Sequence, residues 1–307
     1  MKNQLSQSVK PFHALPEEGK FGFLQFFVTL VLFLSVFVGI GQIPLVLALF
    51  SKVLDQGEMD SLNYDAMSAL LGSNWFLTLM IIPFGFGLLA LVLGIKYIHG
   101  TSVLAFFTSR ASFDWKRVFL SLGIWGGFMT LMLGYSYFNS DTFIWNYHPI
   151  NFWMLALICL FLLPLQSTCE ELLFRSYLFK NMQMVAQPLV RVLICGTLFG
   201  LMHGANPEIE VLGRIALVFY IWNGIFLGLI THFDNGMELA IGYHAINNIF
   251  AALLVTNNWQ ALRTEALFID TASPVFGWDI LLTMLVWQPL LFFFFKWKYK
   301  WNLKANL

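Results

Sequence analysis

Charge is what this sequence lacks most. Only 11% of its 307 residues are Asp, Glu, Lys or Arg, against about 25% in a soluble domain, which excludes an ordinary water-soluble globular protein. Lys+Arg and Asp+Glu number 17 each, so the net charge is zero and nothing supports a nucleic-acid partner. Cysteine is equally scarce. Cys159, Cys169 and Cys195 stand in apolar stretches without metal-type spacing and read as small core residues. The chain has no H-E-x-x-H zinc motif, no internal repeat and no low-complexity linker, so nothing divides it into independent domains.

Apolar residues are abundant instead: 58% of the chain is hydrophobic and 17% aromatic. The first apolar run begins at Phe21, behind a polar leader. At about 30 residues it is far longer than the 7–15 of a signal-peptide core and has no small-residue cleavage site after it, so a retained membrane span is expected. At about 20 residues per crossing, eight spans can be drawn. They cover 22–50, 75–97, 118–138, 151–180, 189–204, 211–231, 237–255 and 277–296. Gly39, Gly41 and Pro44 predict that the first is tilted or broken.

With the N-terminus inside, 14 of the 17 lysines and arginines fall on inner segments, leaving Lys52, Arg214 and Arg263 outside. The acidic loop with Asp55, Glu58, Asp60 and Asp65 is then external, and both termini are cytoplasmic. Several tryptophans, including Trp75, Trp145, Trp278 and Trp297, lie near proposed span ends, as an interfacial belt would. The expected fold is all-α: a polytopic membrane protein of about eight transmembrane helices, sited in the cell membrane.

Three later spans carry polar groups that apolar packing does not need. The stretch 168–175, TCEELLFR, puts Glu170, Glu171 and Arg175 at the end of an apolar run. Each such residue deep in a bilayer costs roughly 2.5–3.5 kcal/mol on insertion scales. Glu171 and Arg175 are i,i+4 neighbours that can pair, whereas Glu170 points about 100° away and is free to face a cavity. Phe199 and His203 share a helix face in LFGLMHGANPE, and His244 and Asn248 share one in GYHAINNIF. A solvated helix end, packing histidines and interhelical hydrogen bonds would each explain one element alone. Depth argues for a joint site. Counted at 1.5 Å per residue from the inner ends, Glu170, His203, His244 and Asn248 lie about 15, 18, 10 and 16 Å deep. Three helices thus bring their polar groups to one layer approached from the cytoplasm.

EELLFR at 170–175, FGLMH at 199–203 and HAINN at 244–248 match the E-E-x-x-x-R, F-x-x-x-H and H-x-x-x-N elements of the CPBP family of intramembrane proteases. This family is also called Abi, or the type 2 CAAX prenyl endopeptidase and lysostaphin-resistance family. The resemblance covers about 150–255, so the chain divides into N-terminal membrane helices (1–150), a catalytic core (151–255), and a last outer loop, final span and basic tail (256–307). Residues 1–150 carry no signature of the family.

The expected activity is hydrolysis of a peptide bond. Glu170 and His203 could bind and deprotonate a water, and N–H donors of His244 and Asn248 could stabilise the oxyanion. The resemblance implies the same division, with Glu171 and Arg175 in support. Pro164, six residues before Glu170, is expected to bend that helix or free a carbonyl near the site. No cofactor is assigned. A divalent metal such as zinc, were one bound, would take Glu170, His203 and His244, but a metal-free glutamate mechanism is preferred. The expected partners are a peptide or protein-tail substrate and membrane lipid. A catalytically silent membrane scaffold or immunity protein of the same family is the alternative. Asn223 in the sixth span is a weaker candidate for lining the cavity, and His13, His99, His148 and His232 receive no role.

Overall fold

The structure is a computed structural model that describes residues 11–52 and 62–303. Lys2, Lys10 and Lys304, and the expected outer-loop acids Asp55, Glu58 and Asp60, lie outside the described residues. The first span is broken as its glycines and proline predict. α1 (Phe23–Leu34) widens through Ser35–Gly39, tightens through Ile40–Gln42 and resumes as α2 (Ile43–Phe50), with Pro44 in its first turn. The break has a packing reason: a Cβ on Gly41 would lie 2.8 Å from Cα of Pro83 in the next span.

After α3 (Tyr64–Leu71) come α4 (Ser73–Leu93), which continues through a wide turn to Ile98, and α5 (Trp115–Asn139). α6 (Pro149–Glu171) starts on a proline, whose missing N–H costs nothing in the first turn. Directly after Glu171 the helix loosens to a wide, five-residue hydrogen-bonding pattern over Leu172–Leu178, a local geometry that recurs at functional sites. α7 (Pro188–Met202) and the short α8 (Pro207–Leu212) follow, then α9 (Ala216–Asp234) and α10 (Glu238–Leu253). α11 (Trp278–Leu282) leads through another wide turn into α12 (Gln288–Tyr299).

Seven helical stretches among the described residues are long and apolar enough to cross a membrane, and the chain is a multi-pass membrane protein. The expected span at 237–255 is the one that falls short. α10 has 16 residues, about 24 Å against a hydrocarbon core of about 30 Å. It packs against α5, α6 and α9, and its first eight residues, 238–245, are all buried. A helix covered on every side belongs to the interior of the bundle. The expected sixth span, 211–231, is found as α9 with a later start: residues 211 and 212 close α8, and the chain turns at Gly213, whose φ is +77°, before α9 begins at Ala216. A small sheet was not foreseen. β1 (Phe143–Trp145), β2 (Val255–Thr256) and β3 (Phe268–Asp270) lie in the order β1-β3-β2, antiparallel for β1/β3 and parallel for β2/β3.

Two features fix the helices that carry the polar residues. α7 and α9 cross almost backbone to backbone. A Cβ on Gly196 would lie 2.6 Å from the Ile225 nitrogen, and one on Gly200 2.5 Å from the Ile221 nitrogen. Small residues one turn apart permit this approach between membrane helices. At the start of α10, Arg110 reaches both Asp234 (2.9 Å) and Glu238 (3.0 Å), and Arg117 also pairs with Asp234. The indole of Trp301 donates to the same Asp234 carboxylate at 3.0 Å. The 99–114 loop and the C-terminal segment therefore hold the end of α9 and the beginning of α10 in place.

Candidate active site

The centre of the polar cluster is Glu171, whose side chain is wholly buried. Its Oε1 accepts a hydrogen bond from His244 Nδ1 at 2.8 Å and lies 3.3 Å from Arg175 Nη1, the i,i+4 pair that the spacing predicts. Arg175 also donates to the Gly224 carbonyl at 3.4 Å, and its guanidinium sits 4.0 Å over the Phe199 ring. An isolated buried charge costs several kcal/mol, so one carboxylate shared by an arginine and a histidine offsets burial that none of the three could sustain alone. The planar, weakly hydrated guanidinium suits the aromatic face better than an ammonium would.

Glu170 turns the other way. Its side chain is 14% exposed, and its Oε2 lies 3.4 Å from His244 Nε2. That Oε2 is buried and has no hydrogen-bond partner. Each of the adjacent glutamates keeps a buried Oε2 without a hydrogen-bond partner, but Glu171 Oε1 is held by His244 and Arg175 whereas Glu170 turns toward a partly exposed position beside His244.

Phe199 is the hub of the aromatic contacts. Its ring meets His244 edge-on at 5.8 Å and lies 4.7 Å from the ring of His203. His203 Nδ1 is 2.9 Å from the Phe199 carbonyl in the last turn of α7. A carbonyl only accepts, so Nδ1–H donates, and the neutral ring carries its lone pair on Nε2. The imidazole also stacks on Tyr220 at 4.3 Å. Glu170, His244 and Glu208 are all within electrostatic reach of it. The three helices that the depth count aligned are thus in contact.

The proposed oxyanion donors are not idle. Both ring nitrogens of His244 face glutamates, and Asn248 Nδ2 donates to Gln166 Oε1 at 2.8 Å. Gln166 stands one turn before Glu170, so Asn248 borders the same face of α6. Asn223 does not face the cluster. Its Oδ1 accepts from Gln288 Nε2 at 2.7 Å, and Gln288 also reaches the Tyr243 hydroxyl, forming a separate polar knot of α9, α10 and α12. The Pro164 carbonyl accepts the Thr168 hydroxyl at 2.6 Å.

Sequence reasoning missed three residues. Gln166 was detectable, being i−4 from Glu170. Glu208 and Tyr220 were not, because their hydrogen bond joins a loop helix to a span. His99, given no role, is buried between the Lys20 carbonyl (2.8 Å) and the Tyr177 hydroxyl (3.0 Å). The three cysteines are buried and unpaired. Among the described residues no group of three His, Cys, Asp or Glu side chains is arranged to hold a metal ion.

Fold and site together define a polytopic helical membrane protein with an acid–histidine cluster enclosed among its spans. Residues 151–250 match the family model described as type II CAAX prenyl endopeptidase Rce1-like, the segment that carries the three motifs. The chain is also similar to a Bacillus subtilis (strain 168) protein described as uncharacterized protein YyaK. The two are 26% identical over 256 residues, covering 78% of this chain and 81% of the relative. No solved structure matches the chain.

Proposed function

We propose that this protein is an intramembrane endopeptidase in which Glu170 is the general base. The observation that carries the reading is the contrast between the two glutamates. Glu171 is wholly buried with Oε1 held by Arg175 and His244, while Glu170 is 14% exposed and its carboxylate, 3.4 Å from His244, makes no such hydrogen bond. Glu170, assisted by the free Nε2 of His203, takes a proton from a bound water, and the resulting hydroxide adds to the scissile carbonyl carbon. Asn248 then releases Gln166 and donates to the developing oxyanion, with His244 as the second donor. Glu170 passes the proton to the departing amine, the C–N bond breaks, and the carboxylate is restored. Catalytic hydrogen bonds are often completed only with substrate bound, so the engaged donors are compatible with this sequence.

The substrate in this reading is a peptide or protein tail that reaches a cavity open to the cytoplasm, in a cell-membrane protein. The reading assigns no metal. Purified protein is expected to hold no stoichiometric zinc and to keep its activity under chelation.

The test compares the peptide termini of cells carrying the wild type with those of cells carrying Glu170→Gln. The variant is expected to insert and fold normally, checked by its thermal transition in detergent, and to lose a defined set of cleavage products. Identical termini, with any phenotype rescued equally by both forms, would overturn the protease and leave a scaffold.

A further inference from the structure

The first and last parts of the chain meet the site through one side chain that no motif includes. Tyr220, on α9, stacks its ring on His203 with centroids 4.3 Å apart and planes inclined by 19°. Its hydroxyl donates to Glu208 Oε1, which also accepts from Asn206 Nδ2 at 3.1 Å. The second oxygen of Glu208 accepts from the Ala261 nitrogen at 2.9 Å. The Ala261 carbonyl in turn accepts the Tyr64 hydroxyl, and Arg263 pairs with Asp65. A cap built from α3, α8 and the 257–264 loop thereby holds a tyrosine ring against the face of one histidine.

Of the hydrogen bonds around His203, one is to its own helix, at Nδ1. That single bond fixes a point on the ring and leaves the plane free to swing about it. The rings of Phe199 and Tyr220, both packed on the imidazole, restrict that freedom. The near-parallel stack on Tyr220 in particular favours one ring orientation. The hydroxyl bond to Glu208, a carboxylate itself held by Asn206 and the Ala261 nitrogen, keeps Tyr220 from withdrawing.

We propose that Tyr220, anchored by Glu208, is a positioning residue that holds the His203 imidazole in the Nδ1–H form with Nε2 available to the reacting water. The inference rests on the role given to His203 above, but its first readout does not need catalysis. Histidine-selective 15N labelling of the full-length protein in detergent yields six imidazoles, and His203→Gln identifies the signal of interest. In wild type, His203 is expected to show a protonated Nδ1 and an unprotonated Nε2. Tyr220→Phe keeps the ring but loses the Glu208 anchor, and is expected to retain that pattern in part, with kcat lowered by no more than threefold. Tyr220→Leu removes the ring and is expected to average the two nitrogens and to lower kcat at least tenfold with KM within twofold. The substrate is the peptide identified by the comparison of termini. Should Y220L disturb all six imidazoles, Y220M, which fills the space without a ring, replaces it with the same expected outcome.

An unchanged His203 pattern in the ring-less variant would overturn the proposal, as would equal effects of the phenylalanine and leucine variants. The two readings separate cleanly. If Glu170→Gln leaves peptide termini unaltered while Y220L still releases the His203 tautomer, the protease falls and the positioning of the ring stands.

Discussion

His244 and Glu171 are 73 positions apart in the chain and share a 2.8 Å hydrogen bond in the interior of the bundle. The bond joins α10, the short covered helix, to the point where α6 loosens into its wide turn. Because the same Glu171 oxygen faces Arg175 at 3.3 Å, and Arg175 reaches the Gly224 carbonyl on α9, one carboxylate ties three helices together. What it leaves over is Glu170. The loosened turn begins immediately after the pair, so the glutamates keep α-helical spacing with the preceding residues while Arg175 is set by the wider pattern.

Removing Arg175 should therefore damage the fold rather than the chemistry alone. Arg175→Leu leaves Glu171 buried with His244 as its remaining charge partner, and breaking a buried pair from one side costs about 3–5 kcal/mol. The expected result is a large drop in the midpoint of thermal unfolding in detergent. Arg175→Leu combined with Glu171→Gln should recover much of that loss, because no uncompensated charge remains. Arg175→Lys should fall between, since an ammonium reproduces neither the fork nor the stack on Phe199. Equal melting of wild type and Arg175→Leu would show that the pair does not stabilise the bundle.

The α7–α9 crossing makes a second, sharper prediction. Gly200→Ala places a methyl 2.5 Å from the Ile221 nitrogen and 2.4 Å from its Cγ1, so the helices must separate. Overpacking of this kind costs typically 1–3 kcal/mol. Gly204→Ala, four residues on, meets nothing within 4 Å and should leave the melting midpoint unchanged. The contrast between the two alanines is the measurement, and a neutral Gly200→Ala would refute close packing at this crossing.

Much of this was readable in advance. The apolar runs gave the spans to within a few residues, since a bilayer enforces length more strictly than water does. The i,i+4 spacing of Glu171 and Arg175 already implied their pairing. What stayed hidden depends on contacts between distant segments. The covered position of α10 follows from neighbours on three sides, which no hydropathy window records. Tyr220 and Glu208 are ordinary residues in their own segments and matter only once the loops have folded over α7. Asn248 was expected as a donor, but its acceptor in the fold, Gln166, belongs to another helix and no spacing within 244–248 points to it.

Stability should also fall in mild acid. Burial, reinforced by His232, Arg191 and Lys180, lowers the His13 pKa from 6.5 to about 4. Burial lowers that of His99 as well, opposed by its bond to the Lys20 carbonyl. In both cases the folded state binds its proton less readily than the unfolded chain, whose histidines titrate near 6.5. Their contribution is fully present above pH 6.5 and is lost as pH falls toward 4. The thermal midpoint of the wild type should decline over that window, and His13→Gln should flatten part of the decline. A slope unchanged in the variant would remove His13 as a source.

Asn248 offers the most direct probe of the proposed chemistry, because the structure gives its amide a competing partner. Its Nδ2 donates to Gln166 Oε1 at 2.8 Å, so a substrate carbonyl must displace Gln166 to receive that donor. Loss of one oxyanion donor generally costs about 10²–10³ in kcat, and Asn248→Ala is expected to fall in that range with a small change in KM. Gln166→Leu works in the opposite sense. It removes the competitor and leaves the amide without its acceptor before substrate binds, so substrate should bind more tightly and KM should fall while kcat holds. If Asn248 serves only to pin α10 to α6, both substitutions break the same bond and should lower thermal stability alike without separating KM from kcat. Kinetics and melting of the two variants, measured side by side on the identified peptide, decide between a donor that is handed over and one that merely fastens two helices.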